Sequence, residues 1–144
     1  MTINTQDYPA KLFSQDTVFT FKNGIYGFEN HHQFGFVNQT DDIDNPFRLM
    51  VSINNPDISF VVVPPTFVHE NYEIKIDDLE LQELDVCDSN DIVVVCIVSL
   101  AQDGKSIYVN LKSPIVLALS KKRGKQIILD NSPYDIRHVV ELGN

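Results

Sequence analysis

The chain has 144 residues, enough to bury roughly 68–70% of its unfolded surface in one core without covalent staples. Its 20 acidic side chains outnumber 11 basic ones, for a net charge of -9, which argues against nucleic-acid backbones and anionic membranes and favours a basic protein partner. At 43% hydrophobic and 22% charged residues the composition is that of a folded globular domain and excludes general disorder.

The first ten residues, MTINTQDYPA, carry neither the basic region nor the apolar segment of a secretory signal. The longest apolar run, residues 92–98, is far short of the ~20 residues a membrane helix needs. Cys87 and Cys96 make no cysteine framework, as expected of a reducing compartment. These features together predict a cytoplasmic protein.

Most segments read as strands. Residues 16–21 (DTVFTF), 34–37 (FGFV) and 47–53 (FRLMVSI) come first. The turn formers NNPD at 54–57 separate the third from residues 58–63 (ISFVVV), the pattern of a hairpin. Pro64 and Pro65 then end pairing, because proline has no ladder donor. The stretch KIDDLELQELDV at 75–86 favours a short helix, with Asp77 as cap, Glu80 closing a capping box, and Leu81 and Leu84 on one face. The alternation over 74–81 leaves a strand extension as the alternative. Residues 92–100 (IVVVCIVSL) are an almost unbroken apolar run, which implies a strand buried on both faces. Strands follow at 107–111, 113–119 and 125–129, separated by an Asp-Gly turn and by the basic turn KKRG at 121–124. Residues 130–144 are polar and proline-broken, and are expected to be partly flexible at the end. No internal repeat or linker interrupts this order. The prediction is a mainly β fold: a single antiparallel sandwich or barrel-like domain over 1–144, with at most one or two short helices.

Candidate chemistry is sparse. Gly24 and Gly27, in FKNGIYGFENHHQFGFV (residues 21–37), lack the Gly-Lys-Ser/Thr ending of a phosphate loop and the third glycine of a dinucleotide fingerprint. They fit a turn that needs positive φ. His31 and His32 are adjacent, whereas His69 and His138 lie elsewhere, so no zinc-ligand spacing exists. Residues 41–46 (DDIDNP) lack the glycine and glutamate of a calcium loop, and read as a solvated acidic loop. No serine sits in a nucleophile elbow, and neither cysteine has a histidine near it in sequence. Asn38–Thr40 is a glycosylation sequon without a secretory context. No metal or cofactor is expected.

The marked asymmetry is acidic. Asp77, Asp78, Glu80, Glu83, Asp85, Asp88 and Asp91 follow one another with no basic residue between them. Such a run is either a solubilising face or a surface for a basic protein, with Asp77, Asp78, Glu80, Glu83 and Asp85 as its contacts. Leu79, Leu81 and Val86 are its candidate apolar anchors.

The order of segments resembles the flagellar assembly factor FliW family. The carriers are Phe21, Gly24, Gly27, Phe28 and Glu29 at the glycine turn, then Asn55, Pro56, Asp57, Ile58 and Phe60. Asn110, Leu111, Pro114 and Ile115 follow, then Gln126, Ile128 and Leu129, and the SPYDIRH ending. Ile25-Tyr26, Met50-Val51-Ser52 and Pro64-Pro65 depart from the family pattern. The resemblance implies a non-catalytic antagonist of the RNA-binding translational regulator CsrA (carbon storage regulator) that also binds flagellin. Flagellin scarcity would free the factor to relieve translational repression. It implies protein partners rather than direct nucleic acid or membrane, and a monomer when free. The alternatives are a small-ligand-binding β-barrel, which needs an inner cavity, and an enzyme whose site assembles only in space.

Overall fold

Inward aromatics alternating with outward side chains carry the chain around a closed sheet. The computed structural model describes residues 2–4, 8–13, 16–38 and 45–142. The strands are β1 (Thr2–Asn4), β2 (Val18–Thr20), β3 (Gln33–Val37), β4 (Arg48–Ser52), β5 (Ser59–Val63), β6 (Glu73–Lys75), β7 (Ile92–Leu100), β8 (Ser106–Val109), β9 (Ile115–Ala118), β10 (Arg123–Gln126) and β11 (His138–Glu141). The helix α1 (Asp78–Leu84) and three single-turn 3₁₀ segments complete the elements.

Strand β7 is the hub. Val98 pairs with Val61 of β5 on one edge and with Val109 of β8 on the other. Residues 92–95 pair with β9. The order β7–β5–β4–β3–β2–β10–β9 therefore returns to β7, closing a barrel of seven strands, with β8 and β11 as an outlying wing. Among the described residues every strand pairing is antiparallel except β2 with β10, which touch in parallel at Thr20 and Arg123.

The unbroken apolar run of β7 has two cores to fill. Val93 and Val95 point into the barrel with Phe19, Phe21, Phe34, Met50, Ile115 and Leu117. Ile92, Val94 and Cys96 point outward to a second core with Val116, Leu81, Leu84, Ile74, Ile76 and Tyr72. That second layer consists of α1, the β1–β6 pair and the segments around them. The expectation of a mainly β, barrel-like domain holds. The ligand-barrel alternative does not, because the inner space is occupied by aromatic and aliphatic side chains with no exposure. Near this core Arg48 is itself buried, its guanidinium stacked on Tyr8 and Phe13 at 5.1 and 5.5 Å and donating to the Asn45 and Phe47 carbonyls.

Several boundaries differ from the sequence reading. Strand β10 begins at Arg123, inside the predicted basic turn, because Gly124 lies directly beneath the Phe21 ring, where any Cβ would collide. Strands β1 and β6 pair as a separate two-stranded sheet. The stretch after Leu129 contains β11, paired to β8 from His138 to Glu141. Tyr134 fastens that stretch: its ring lies 4.4 Å from the Tyr72 ring, and its hydroxyl donates to the Glu73 carbonyl (3.2 Å) and accepts from the Glu73 N–H (3.1 Å). The acidic loop 41–46 and the sequon fall largely outside the described residues.

Helix α1 forms where expected but without its predicted cap. Asp77 takes the extended N-cap conformation, yet its side chain makes no capping bond. Glu80 turns away to a lysine, so no capping box closes. Leu81 and Leu84 share the buried face as the spacing predicts. No helix among the described residues is long and apolar enough to cross a membrane.

Candidate functional site at the glycine turn and the acidic helix

Two consecutive turns build one wall of the site. The Gly24 N–H donates to the Phe21 carbonyl at 3.0 Å, and Gly24 has φ +65. A Cβ there would stand 2.7 Å from the Glu29 Cα, so only glycine fits. The Phe28 N–H then donates to the Ile25 carbonyl at 2.7 Å, with Gly27 at φ +87 in the turn position that requires it. The Glu29 carboxylate accepts from the Gly27 N–H at 3.1 Å. Phe21 is buried in the barrel, and Phe28 sets its edge against Phe60 at 5.1 Å.

The adjacent histidines go separate ways. His32 Nδ1 donates to the Phe21 carbonyl at 3.0 Å, while His31 Nδ1 lies 3.1 Å from the Ser52 hydroxyl. No group of three or more His, Cys, Asp or Glu side chains among the described residues is placed to hold a metal.

Gln126 links this turn to the rest of the molecule. Its side-chain oxygen accepts from the Tyr26 N–H at 3.0 Å, and its side-chain nitrogen donates to the Ser113 carbonyl at 3.2 Å. Asn110 accepts from the Ser113 N–H at 2.9 Å, and the Pro114 carbonyl accepts from Ile127. Gly24, Gly27, Glu29, Asn110, Pro114 and Gln126 thus form one connected backbone scaffold, although 102 positions separate Gly24 from Gln126 in the sequence.

The acidic helix faces that scaffold. Glu80 and Glu83 converge on Lys125: Glu80 Oε2 lies 2.5 Å from its Nζ, and Glu83 Oε2 is closer still. Arg123 donates to the Glu83 carbonyl at 3.2 Å, and Asp85 pairs with Lys121 at 3.3 Å. The Lys125 hydrogen bond holds the Glu83 carboxyl below its ordinary range. Burial pulls the Lys125 ammonium down, but its bonds to Glu80 and Glu83 outweigh that and raise it, so Lys125 remains a cation and not an amine base. Between the glycine turn, the C-terminal half of α1 and β10 opens a cleft of about 640 Å³, lined by Lys22, Tyr26, Glu29, Glu83, Arg123 and Gln126 among others.

The acidic run is therefore not uniformly solvated. Glu80 and Glu83 are engaged by Lys125 of β10, and Asp85 by Lys121 in the β9–β10 connection. Asp88 accepts from the Asn90 N–H (2.9 Å), and Asp91 accepts from the Ser120 hydroxyl (2.6 Å) and N–H (3.0 Å). Asp77 and Asp78 stand exposed at the start of α1 beside Leu79, which is 74% exposed. Leu81 is buried and Val86 packs on the second core, so Leu79 is the available anchor of the three. Sequence reasoning missed Lys121 and Lys125 as counter-ions. The signal was the basic cluster Lys121, Lys122, Arg123 and Lys125, of opposite sign to the acidic run.

Of the two free cysteines, Cys87 is exposed and Cys96 buried. Burial raises the Cys96 thiol and the Tyr72 phenol, and the Tyr72 hydroxyl donates to the Leu111 carbonyl at 2.7 Å. A sequence profile of the FliW protein family matches residues 2–140. The chain is 36% identical over 140 residues to a flagellar assembly factor FliW of Thermoanaerobacter pseudethanolicus, covering 97% of this chain and 93% of that protein. It is 40% identical over 121 residues to that of Clostridium botulinum, covering 84% of each, and 28% identical over 138 residues to that of Treponema pallidum, covering 96% and 90%. A crystal structure of a flagellar assembly factor FliW superimposes with a TM-score of 0.77 at 30% identity, over 96% of this chain and 95% of the other. The chain belongs to the FliW family of flagellar assembly factors.

Proposed function

We propose that this chain is a non-catalytic cytoplasmic regulator of flagellar assembly that binds the RNA-binding translational regulator CsrA and, in exchange, flagellin. Binding the regulator relieves repression, and binding flagellin withdraws the factor, so flagellin synthesis follows export. The observation that carries the reading is the exposed start of α1: Asp77, Asp78 and Leu79 stand together on a helix that Lys125 pins to the barrel. A rigid acidic patch with an apolar anchor suits a basic RNA-binding partner, because charge speeds encounter and apolar burial supplies affinity. The family membership and the relatives' names support a role in flagellum assembly.

The test is co-purification of the tagged chain, a monomer when free, with the regulator and with flagellin from the same organism. Each is expected to co-purify alone, and added flagellin to displace the regulator. Retention of neither partner at low salt would overturn the reading.

A further inference from the structure

The second layer covers the outer face of the barrel over β7, β8 and β9 and reaches Val63 at the end of β5 and Phe47 just before β4. Val37, Val61 and Ile53 lie outside it. Pair registers place Val37, Leu49, Val61 and Val98 in one row across β3, β4, β5 and β7. The next row on the same face runs through Val18, Gly35, Val51 and Ser59. The opposite face of these strands carries Phe34, Met50 and Val62 into the barrel core. The outward row is apolar and open over most of its length: Val98 packs on the second core and Leu49 is half-buried, but Val37 is 45% exposed, Val61 37%, and Ile53 at the end of the face 47%. Leu100, on β7 two positions beyond Val98, is 70% exposed. Gly35 leaves a gap in this face, with Ile53 Cδ1 3.5 Å from where its Cβ would stand. A contiguous apolar sheet surface of this kind marks a contact site on a soluble domain.

Its border selects the occupant. Exposed Asp16 precedes β2, Asp57 sits in the β4–β5 turn, Asp103 in the β7–β8 turn, and Glu70 follows the segment that ends at Phe67, itself 41% exposed. Among the described residues of these flanking turns, Lys105 is the one cation. An apolar floor with an acidic rim complements a segment with the reverse pattern. We propose that the outer face of β3, β4 and β5 is a second docking surface, distinct from the acidic helix, for a partner polypeptide segment that is apolar on one side and carries lysine or arginine at its borders.

The probe is a short synthetic peptide of leucine and lysine, with its leucines on one helical face, compared with a scrambled peptide of identical composition. The amphipathic peptide is expected to bind at least about tenfold more tightly, and to shift the amide resonances of β3, β4 and β5. Val61→Lys and Leu100→Lys should each weaken it several-fold. Val61→Glu should weaken it less than Val61→Lys, because it loses apolar contact but adds to the acidic rim. An Asp77→Lys/Asp78→Lys variant should bind the peptide unchanged. Circular dichroism melts check the fold of each variant, and Leu100→Lys alters a side chain already in solvent. Equal binding of both peptides, shifts confined to α1, or loss of binding in the Asp77/Asp78 variant alone would overturn the proposal. So would self-association at raised concentration that Val61→Lys abolishes, since a second copy would then cover the face. The outcome is independent of whether CsrA or flagellin is retained on co-purification.

Discussion

Gly24 and Gly27 look alike in sequence but do different work. Both need positive φ, which in an L-residue costs about 1–2 kcal/mol. At Gly27 an added Cβ meets nothing within 4 Å, so Gly27→Ala is expected to cost no more than that. At Gly24 the Cβ would also meet the Glu29 backbone at 2.7–2.8 Å, and backbone cannot swing aside as a side-chain tip can. Gly24→Ala is therefore expected to cost clearly more, on the order of 3 kcal/mol once strain is added to the backbone preference. Urea midpoints at constant slope measure both; equal losses would mean the close approach to Glu29 has no energetic weight. The same turn depends on Gln126, whose amide satisfies one backbone donor and one backbone acceptor. The opening glycine motif is thus a scaffold holding the cleft wall, in keeping with the turn expected from glycine's permissive φ.

At the scale of elements, α1 is a short helix held by a charge latch rather than by its cap. Folding favours the ionised Glu83, whose carboxyl Lys125 holds below its ordinary range. That stabilisation is complete above the ordinary glutamate value of 4.5 and is lost as pH falls through the lower folded value. Lys125 is shifted the other way, so its contribution is complete below 10.5 and lost as pH rises through its higher folded value. Lys125→Gln is expected to lower stability by about 1 kcal/mol or less at neutral pH, given the partial exposure of Glu83. The difference from the parent should shrink as melts are taken at progressively lower pH below 4.5, and a difference that does not shrink with falling pH would assign the loss to packing of the lysine stem. This latch was not legible in the sequence, because its partners lie 42 positions apart and no periodicity links them. The capping-box spelling was present, yet the Glu80 carboxylate pairs with the Lys125 ammonium instead of the backbone N–H of its cap. Strand β7 was legible because both its faces are buried and its run is unbroken. Strand β11 was not, because its alternation of half-buried and exposed positions is written with a histidine and a glutamate at its ends. The closing contact of β2 with β10 hinges on Gly124 under Phe21, a fit that no local pattern encodes.

Over the whole molecule the net charge of -9 is divided between acids engaged inside the fold and acids facing solvent. That division decides which substitutions test docking. Reversing Glu80 and Glu83 would place new cations against Lys125 and release α1, so lost binding could not be separated from lost structure. Asp77 and Asp78 have no such role: both are exposed, and Asp77 makes no capping bond. Asp78 favours the positive end of the helix by ~0.3–1 kcal/mol, so Asp77→Lys/Asp78→Lys should cost little stability. Exposed pairs contribute about 0–1 kcal/mol each, and at low salt that effect falls mainly on the association rate. The double variant is expected to associate with CsrA up to about tenfold more slowly at low salt, and to match the parent at high salt, where the charges are screened within ~3 Å near 1 M. Dissociation should change little, because the apolar contribution of Leu79 is retained. Stopped-flow association across a salt series, beside a thermal melt, makes the measurement. An unchanged low-salt rate with an intact melt would remove α1 from the docking surface and leave its exposed aspartates a solubilising role.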